Sequence, residues 1–412
     1  MRLLLSSLGP GIITGAADDD PSGIATYSIA GAQFGTLFLW TALLTFPLMA
    51  SVQMMCARIG KVTGMGLAAN LALRFPRWLL LVGIFALLIA NTINIGADLA
   101  GMADAANMLM GINVHVWVIA FAIIICWATV RLQYRHIAMV LKWLVIVLFA
   151  YPVTAFIVGA DWAQVARATL LPSIPHGKEA WATLVAILGT TISPYLFFWQ
   201  ASEEVEEDKD AGKVTLFLRR GATVKELEFR NVDVGVGAFF SNVAMFFIIL
   251  TTALTLNRHG LTNISTTRQA AEALRPLAGN FAALLFTVGI LGVGFLAIPT
   301  LAGSAAYAFA ETLGWRQGLS KQMKHARSFY GVILLSTCAG VALNFLHINP
   351  VSALYWTAVI NGLLAPFLLV GILMVAGSRK LMQGQPSSRL GWITVAVTTA
   401  AMFAAGIAMF VL

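Results

Sequence analysis

Apolar stretches of roughly 17–25 residues, the length that crosses a bilayer as a helix, recur along this chain with short polar intervals between them. The pattern predicts eleven spans, near residues 4–31, 34–56, 78–108, 115–130, 137–159, 181–202, 233–256, 279–310, 329–346, 351–376 and 391–411. Several are overlong, which predicts tilt or extension past the hydrocarbon. With 59% hydrophobic and 11% charged residues in 412, the expected class is an all-α integral membrane protein with no appended soluble domain.

Charge gives the orientation. Leaving Arg2 aside, twenty Lys and Arg residues fall in the loops or span ends that follow even-numbered spans, among them Arg58, Lys61, Arg135, Lys142, Lys209, Lys213 and Lys321. Five fall on the other side: Arg167, Lys178, Arg258, Arg268 and Arg275. The positive-inside rule places the N-terminus in the cytoplasm and, with an odd span count, the C-terminus outside, in a multi-pass plasma-membrane protein. The net charge of +8 follows from that asymmetry and implies no nucleic-acid partner. Cys56, Cys126 and Cys338 lie in apolar segments with neither disulfide nor zinc spacing, and read as small buried residues. "MRLLLSSLGPGIITGAA" could be a signal peptide, but the Gly-Pro-Gly in its apolar core and the span it would remove argue against cleavage. The run "EEVEEDKDAGK" after the sixth span reads as a solvated cytoplasmic face.

Two spans are interrupted. "GAADDDPSGI", residues 15–24, sets Asp18, Asp19 and Asp20 against the breakers Pro21 and Gly23. "ILGTTISPYLFFWQ", residues 187–200, has Pro194, with Thr190, Thr191 and Ser193 to satisfy carbonyls freed by unwinding. A pair of Gly/Pro-interrupted segments at corresponding places is the trace of inverted repeats. The breaks stand five spans apart, and an odd repeat length turns the second copy over. The chain 1–412 is expected to be one transporter domain, with repeats near 4–159 and 181–376 and an added helix at 391–411. Proline alone is a weak signal, since Pro299 and Pro366 also fall inside spans. Ionisable groups at membrane depth, which are costly and usually functional, turn the coincidence into a candidate cation site.

Consecutive helix positions point about 100° apart, so three aspartates cannot face one ligand. Asp20, at the break, is the leading candidate. Asp19, the hydroxyls of Ser22, Thr190 and Ser193, the Tyr195 phenol and the Asn361 amide complete the metal candidates. Asp18 and Thr191 are candidates for the ion or proton path. Such hard oxygens favour Mg²⁺, Ca²⁺ or Mn²⁺ over softer metals, and Mg²⁺ is commonly held by one or two carboxylates while keeping waters. Each hydroxyl could instead back-bond to a helix carbonyl, and Asp20 could serve a structural ion pair at a helix end.

The chain resembles the Nramp family of divalent-metal transporters. "GPGIITGAADDDPSGIATYSIAGAQFGT" follows its first-helix pattern, with Asp20 and Pro21 at the Asp and Pro of the Asp-Pro-Gly-Asn signature. "ARIGKVTGMGLA", residues 57–68, and "ADLAGMADAANML" extend the match, and Asp98, standing at the family's Asp, becomes by that resemblance a further candidate for the ion or proton path; the last three spans match weakly. The resemblance implies a LeuT-like fold of two inverted five-helix repeats with helices 1 and 6 broken. The departures are specific. The signature's metal-binding Asn is Gly23, and the sixth-helix Met-Pro-His reads Ser193-Pro194-Tyr195. The small residue that offers its carbonyl one turn earlier is Thr190. Positions of the proton-coupling His and Glu residues read Tyr195, Asn91 and Gly101. This pattern is closer to the divergent Nramp-related magnesium transporters, and implies passage of Mg²⁺, also Mn²⁺, by alternating access with weak or no proton coupling. The alternatives are the ordinary proton-coupled Mn²⁺/Fe²⁺ symporter and, further off, an amino-acid or other organic-solute carrier on the same fold. No enzyme is expected, because no nucleophile–base pair or histidine metal cluster is visible. No cofactor is expected beyond the transported ion, and the expected partners are that ion and the lipid bilayer around a monomer.

Overall fold

Two Xaa-Pro steps set the architecture. A residue before proline is pushed out of the helical region, and both Asp20 (ψ 170°) and Ser193 (ψ 132°) are extended. The first span is thereby split into α1 (Pro10–Asp18) and α2 (Pro21–Phe34). The computed structural model describes residues 9–132, 144–173, 176–346 and 348–412. Residues 4–8 of the first expected span, 137–143 of the fifth, and Arg2, Arg135 and Lys142 lie outside the described residues. The chain continues with α3 (Leu39–Thr63), α4 (Arg77–Met110), α5 (Val114–Arg131) and α6 (Ala150–Val158). The sixth span is split into α7 (Lys178–Thr191) and α8 (Pro194–Asp210). Then come α9 (Val224–Thr255), α10 (Ala282–Leu313), α11 (Arg327–Leu343), α12 (Pro350–Ala376) and α13 (Arg389–Val411).

Among the described residues nine helical segments are long and apolar enough to cross a membrane, the broken sixth span counting as one. The first span is missing from that set because its halves are short. The fifth is missing because its opening lies outside the described residues. At 34 residues, α4 is about 51 Å long and overruns a hydrocarbon layer of about 30 Å, in line with the expected overhang. The sixth span is the most enclosed, with 94% of its apolar window buried against 28% for Val114–Arg131.

The helices pack in two groups that meet at the breaks. One gathers α1, α2 and α3 on α9, with α8 against α3; the other gathers α10, α11 and α12 on α4. α1 and α9 touch backbone to backbone. A Cβ at Gly15 would lie 2.5 Å from the Gly237 carbonyl, and one at Gly11 would lie 2.6 Å from Val234 N.

The acidic run after the sixth span corrects the sequence reading. It is no solvated loop, because α8 continues to Asp210 and buries Glu204, Glu206 and Asp208. Their partners come from distant elements: Lys61 of α3 is 2.9 Å from Asp208, and Arg230 of α9 is 2.8 Å from Glu204 and also pairs with Glu207. Arg230 further holds Asp233 at 2.9 Å, and Asp233 accepts from Gly9 N (3.1 Å) and Gly11 N (2.8 Å), capping the start of α1. Gln200 closes the ring, accepting from Thr14 Oγ1 at 2.6 Å and donating to Glu204 at 2.9 Å. The cysteine expectation holds only for Cys56; Cys126 is half-buried and Cys338 exposed on α11.

Candidate functional site

Asp20 is the N-cap of α2. Its Oδ1 accepts from Gly23 N at 2.7 Å and from Ser22 Oγ at 2.6 Å. Gly23 therefore does not break the helix; it stands in the first turn of α2, and the interruption is confined to Asp19 and Asp20. Asp20 Oδ2 accepts from Asn94 Nδ2 at 3.2 Å, which also donates to Asp98 Oδ2 at 3.0 Å. Asn361 Nδ2 of α12 lies 3.4 Å from Asn94 Oδ1. Asn94 thus ties α2, α4 and α12 together, and the sequence reading did not single it out. Its signal was available: an amide one helical turn before Asp98, inside a stretch expected to span the membrane.

Three oxygens of this group are buried without a hydrogen-bond partner: Asp98 Oδ1, Asn361 Oδ1 and Thr190 Oγ1. A buried polar atom left unpaired costs about 1–3 kcal/mol, and more when charged. A carboxylate oxygen can only accept, so its complement is a donor or a cation. The point a Cβ on Gly23 would occupy is 3.0 Å from Thr190 Oγ1 and 3.5 Å from both the Asp18 carbonyl and Asp20 Oδ1. Oxygens from both breaks thus surround a space that the glycine keeps open. Among the described residues no three His, Cys, Asp or Glu side chains gather closely enough to hold a metal together. An ion here would take one or two carboxylates and otherwise neutral oxygens.

The remaining candidates separate. Asp18 and Asp19 turn to α9, where Ser241 Oγ is 2.6 Å from Asp18 Oδ2 and 3.1 Å from Asp19 Oδ1. Ser241, too, was not singled out from sequence. Ser193 Oγ back-bonds to the Gly189 and Thr190 carbonyls at 2.8 and 2.7 Å. Tyr195 donates across the breaks to the Ala17 carbonyl at 2.9 Å. These hydroxyls thus take carbonyls that the unwinding was expected to free for an ion. Thr191 donates to the Ile187 carbonyl at 2.7 Å, with Tyr27 Oη at 3.1 Å and Met245 Sδ at 3.8 Å. Asn91 is committed to the Leu301 carbonyl and Ser304, both at 2.9 Å. Among the described residues no ion pair reaches Asp18, Asp19, Asp20 or Asp98, so the expected alternative for Asp20, a helix-end ion pair, is replaced by a neutral cap.

A family model described as "Natural resistance-associated macrophage protein-like" matches residues 11–412. The divalent metal cation transporter MntH of Caldanaerobacter subterraneus is 25% identical over 394 residues, covering 93% of this chain and 87% of its own. MntH of Yersinia pestis is 28% identical over 311 residues, 73% of this chain and 72% of its own. A mutant of the Eremococcus coleocola manganese transporter superposes with a TM-score of 0.73 at 20% identity, covering 99% of this chain and 87% of its own. The nucleobase-cation-symport-1 transporter Mhp1 gives 0.61 at 14% identity, covering 98% and 90%. These likenesses carry the fold: an all-α transporter of the LeuT-like class, as the sequence implied.

Proposed function

The chain belongs to the Nramp family, and from that premise we propose that it carries divalent metal cations, Mg²⁺ first and Mn²⁺ with it, across the plasma membrane by alternating access. One observation supports this most: oxygens of both helix breaks, including the unpartnered Thr190 Oγ1, surround the space at Gly23. Asp20 supplies the charge, Asp98 and Asn361 the unpartnered acceptors linked to it through Asn94, and Thr190 the hydroxyl from the sixth span. Ser22, Ser193 and Tyr195 shape the site by holding Asp20 and the broken backbone. Spans 1–5 and 6–10 act as inverted repeats that rock about these breaks. The ion-paired end of α8 faces the cytoplasm, as the positive-inside asymmetry requires.

An oxygen-only site lacks the soft donor that discriminates against Mg²⁺, and a committed Asn91 carries no proton. The relatives named for divalent metal or manganese transport support the cargo class. A second reading, proton-coupled Mn²⁺ uptake, draws on Met245, whose sulfur sits beside Thr191 and could soften the site. Proteoliposome uptake of Mg²⁺ and Mn²⁺ with a lumenal pH dye separates them. Mg²⁺ entry without acidification is expected. Metal-driven acidification with Mn²⁺ but no Mg²⁺ entry would establish the second reading instead.

A further inference from the structure

We propose that Asp18, Asp19 and Ser241 form a second cation subsite, on the α9 side of the first break and separate from the group around Asp20. It rests on the metal-transport reading and extends it. Packing brings the three together. Gly11 and Gly15 let α1 lie directly on Val234 and Gly237 of α9. One turn further along each helix, Asp18 and Ser241 meet at 2.6 Å.

The argument is a count of donors. Asp20 receives three hydrogens, from Gly23 N, Ser22 Oγ and Asn94 Nδ2. Asp18 and Asp19 share one hydroxyl, and a serine hydroxyl has a single hydrogen to give. Both residues are buried, at 0% and 2% exposure, and Asp18 Oδ1 has no partner at all. The nearest cation along α9, Arg230, is held by Asp233, Glu204 and Glu207. Asp18 is also the last residue of α1, where the helix dipole is negative and disfavours a carboxylate. Of the acids at the break, these two are therefore the least compensated. Two carboxylates with one hydroxyl match a small hard divalent cation in charge and donor type, with waters completing its shell.

The test is titration of the purified full chain with Mn²⁺ by calorimetry, with melting curves alongside. Two equivalents are expected for the wild type. Asp18→Asn/Asp19→Asn should keep one and melt higher without metal, because the buried like charges are gone. Asp20→Asn should keep the other. Ser241→Ala, which retains both carboxylates, should hold two equivalents with one weakened about tenfold. A wild type that binds one equivalent, or a doubly substituted protein that still binds two, overturns the second subsite while leaving the transport reading intact. A Ser241→Ala protein with wild-type affinity at both equivalents also overturns it. A wild type that binds no Mn²⁺ overturns the transport reading itself.

Discussion

Replacing Gly23 with alanine asks whether the space between the breaks is used by the ion. The backbone there is helical, and Gly23 is not among the glycines with positive φ. Alanine should therefore favour the helix by about 1 kcal/mol. The added methyl would lie 3.0 Å from Thr190 Oγ1 and 3.5 Å from the Asp18 carbonyl and Asp20 Oδ1. Only the Thr190 contact is tight, and a shift of a few tenths of an ångström relieves it, so the metal-free protein should keep its stability within about 1 kcal/mol. Binding is affected differently. An ion, or a water on it, that bridges these oxygens loses at least one charge-assisted contact, worth about 1.5–3 kcal/mol. That is a loss of about tenfold or more in affinity. Calorimetric titration with Mg²⁺ and Mn²⁺, paired with a melting curve, reads both quantities. A folded Gly23→Ala protein with a dissociation constant within twofold of the wild type would show that the ion does not use this space, since the methyl and the ion cannot share it.

Two other substitutions probe the parts around it. Asp233→Ala removes the acceptor for Gly9 N and Gly11 N and leaves Arg230 short of a partner. Arg230 keeps Glu204 and Glu207, so the main loss is the two unpaired backbone donors, about 1–3 kcal/mol each, read as a lower melting temperature, whereas Asp210→Ala at the exposed end of α8 should melt as the wild type does; equal melts for the two would show that α1 is not held there. Ser193→Met puts a thioether at the second break and should move competition between Cd²⁺ and Mg²⁺ toward Cd²⁺. An unchanged ratio in an uptake assay would mean that position 193 does not face the ion.

What was legible in the sequence was local. Apolar length located the spans, and each Xaa-Pro step located a break, because proline acts on its immediate neighbour. The charge run at 203–213 is not legible in this way, for the opposite reason. Its partner Lys61 is 147 residues away from Asp208, and composition cannot see a counter-ion that arrives through the fold. The three aspartates show both sides. Helix geometry predicts that they spread about 100° apart, yet only Asp18 is helical. Asp18 and Asp19 therefore converge on Ser241 while Asp20 turns to α4, an outcome set by the break and by the close approach of Gly15 to Gly237. Asn94 and Ser241 escaped notice because neither amides nor hydroxyls interrupt an apolar pattern enough to mark themselves. Gly23 reads as a breaker beside proline, yet it lies within α2, and its missing side chain leaves room beside Thr190 Oγ1.

In the proposed function Asp20 anchors the transported ion. Saturable Mg²⁺ uptake into proteoliposomes, compared between the wild type and Asp20→Ala at matched reconstitution, tests it most directly. Uptake is expected for the wild type, and background flux for Asp20→Ala in a protein that elutes and melts as a folded monodisperse species. Uptake by Asp20→Ala at the wild-type rate would contradict it.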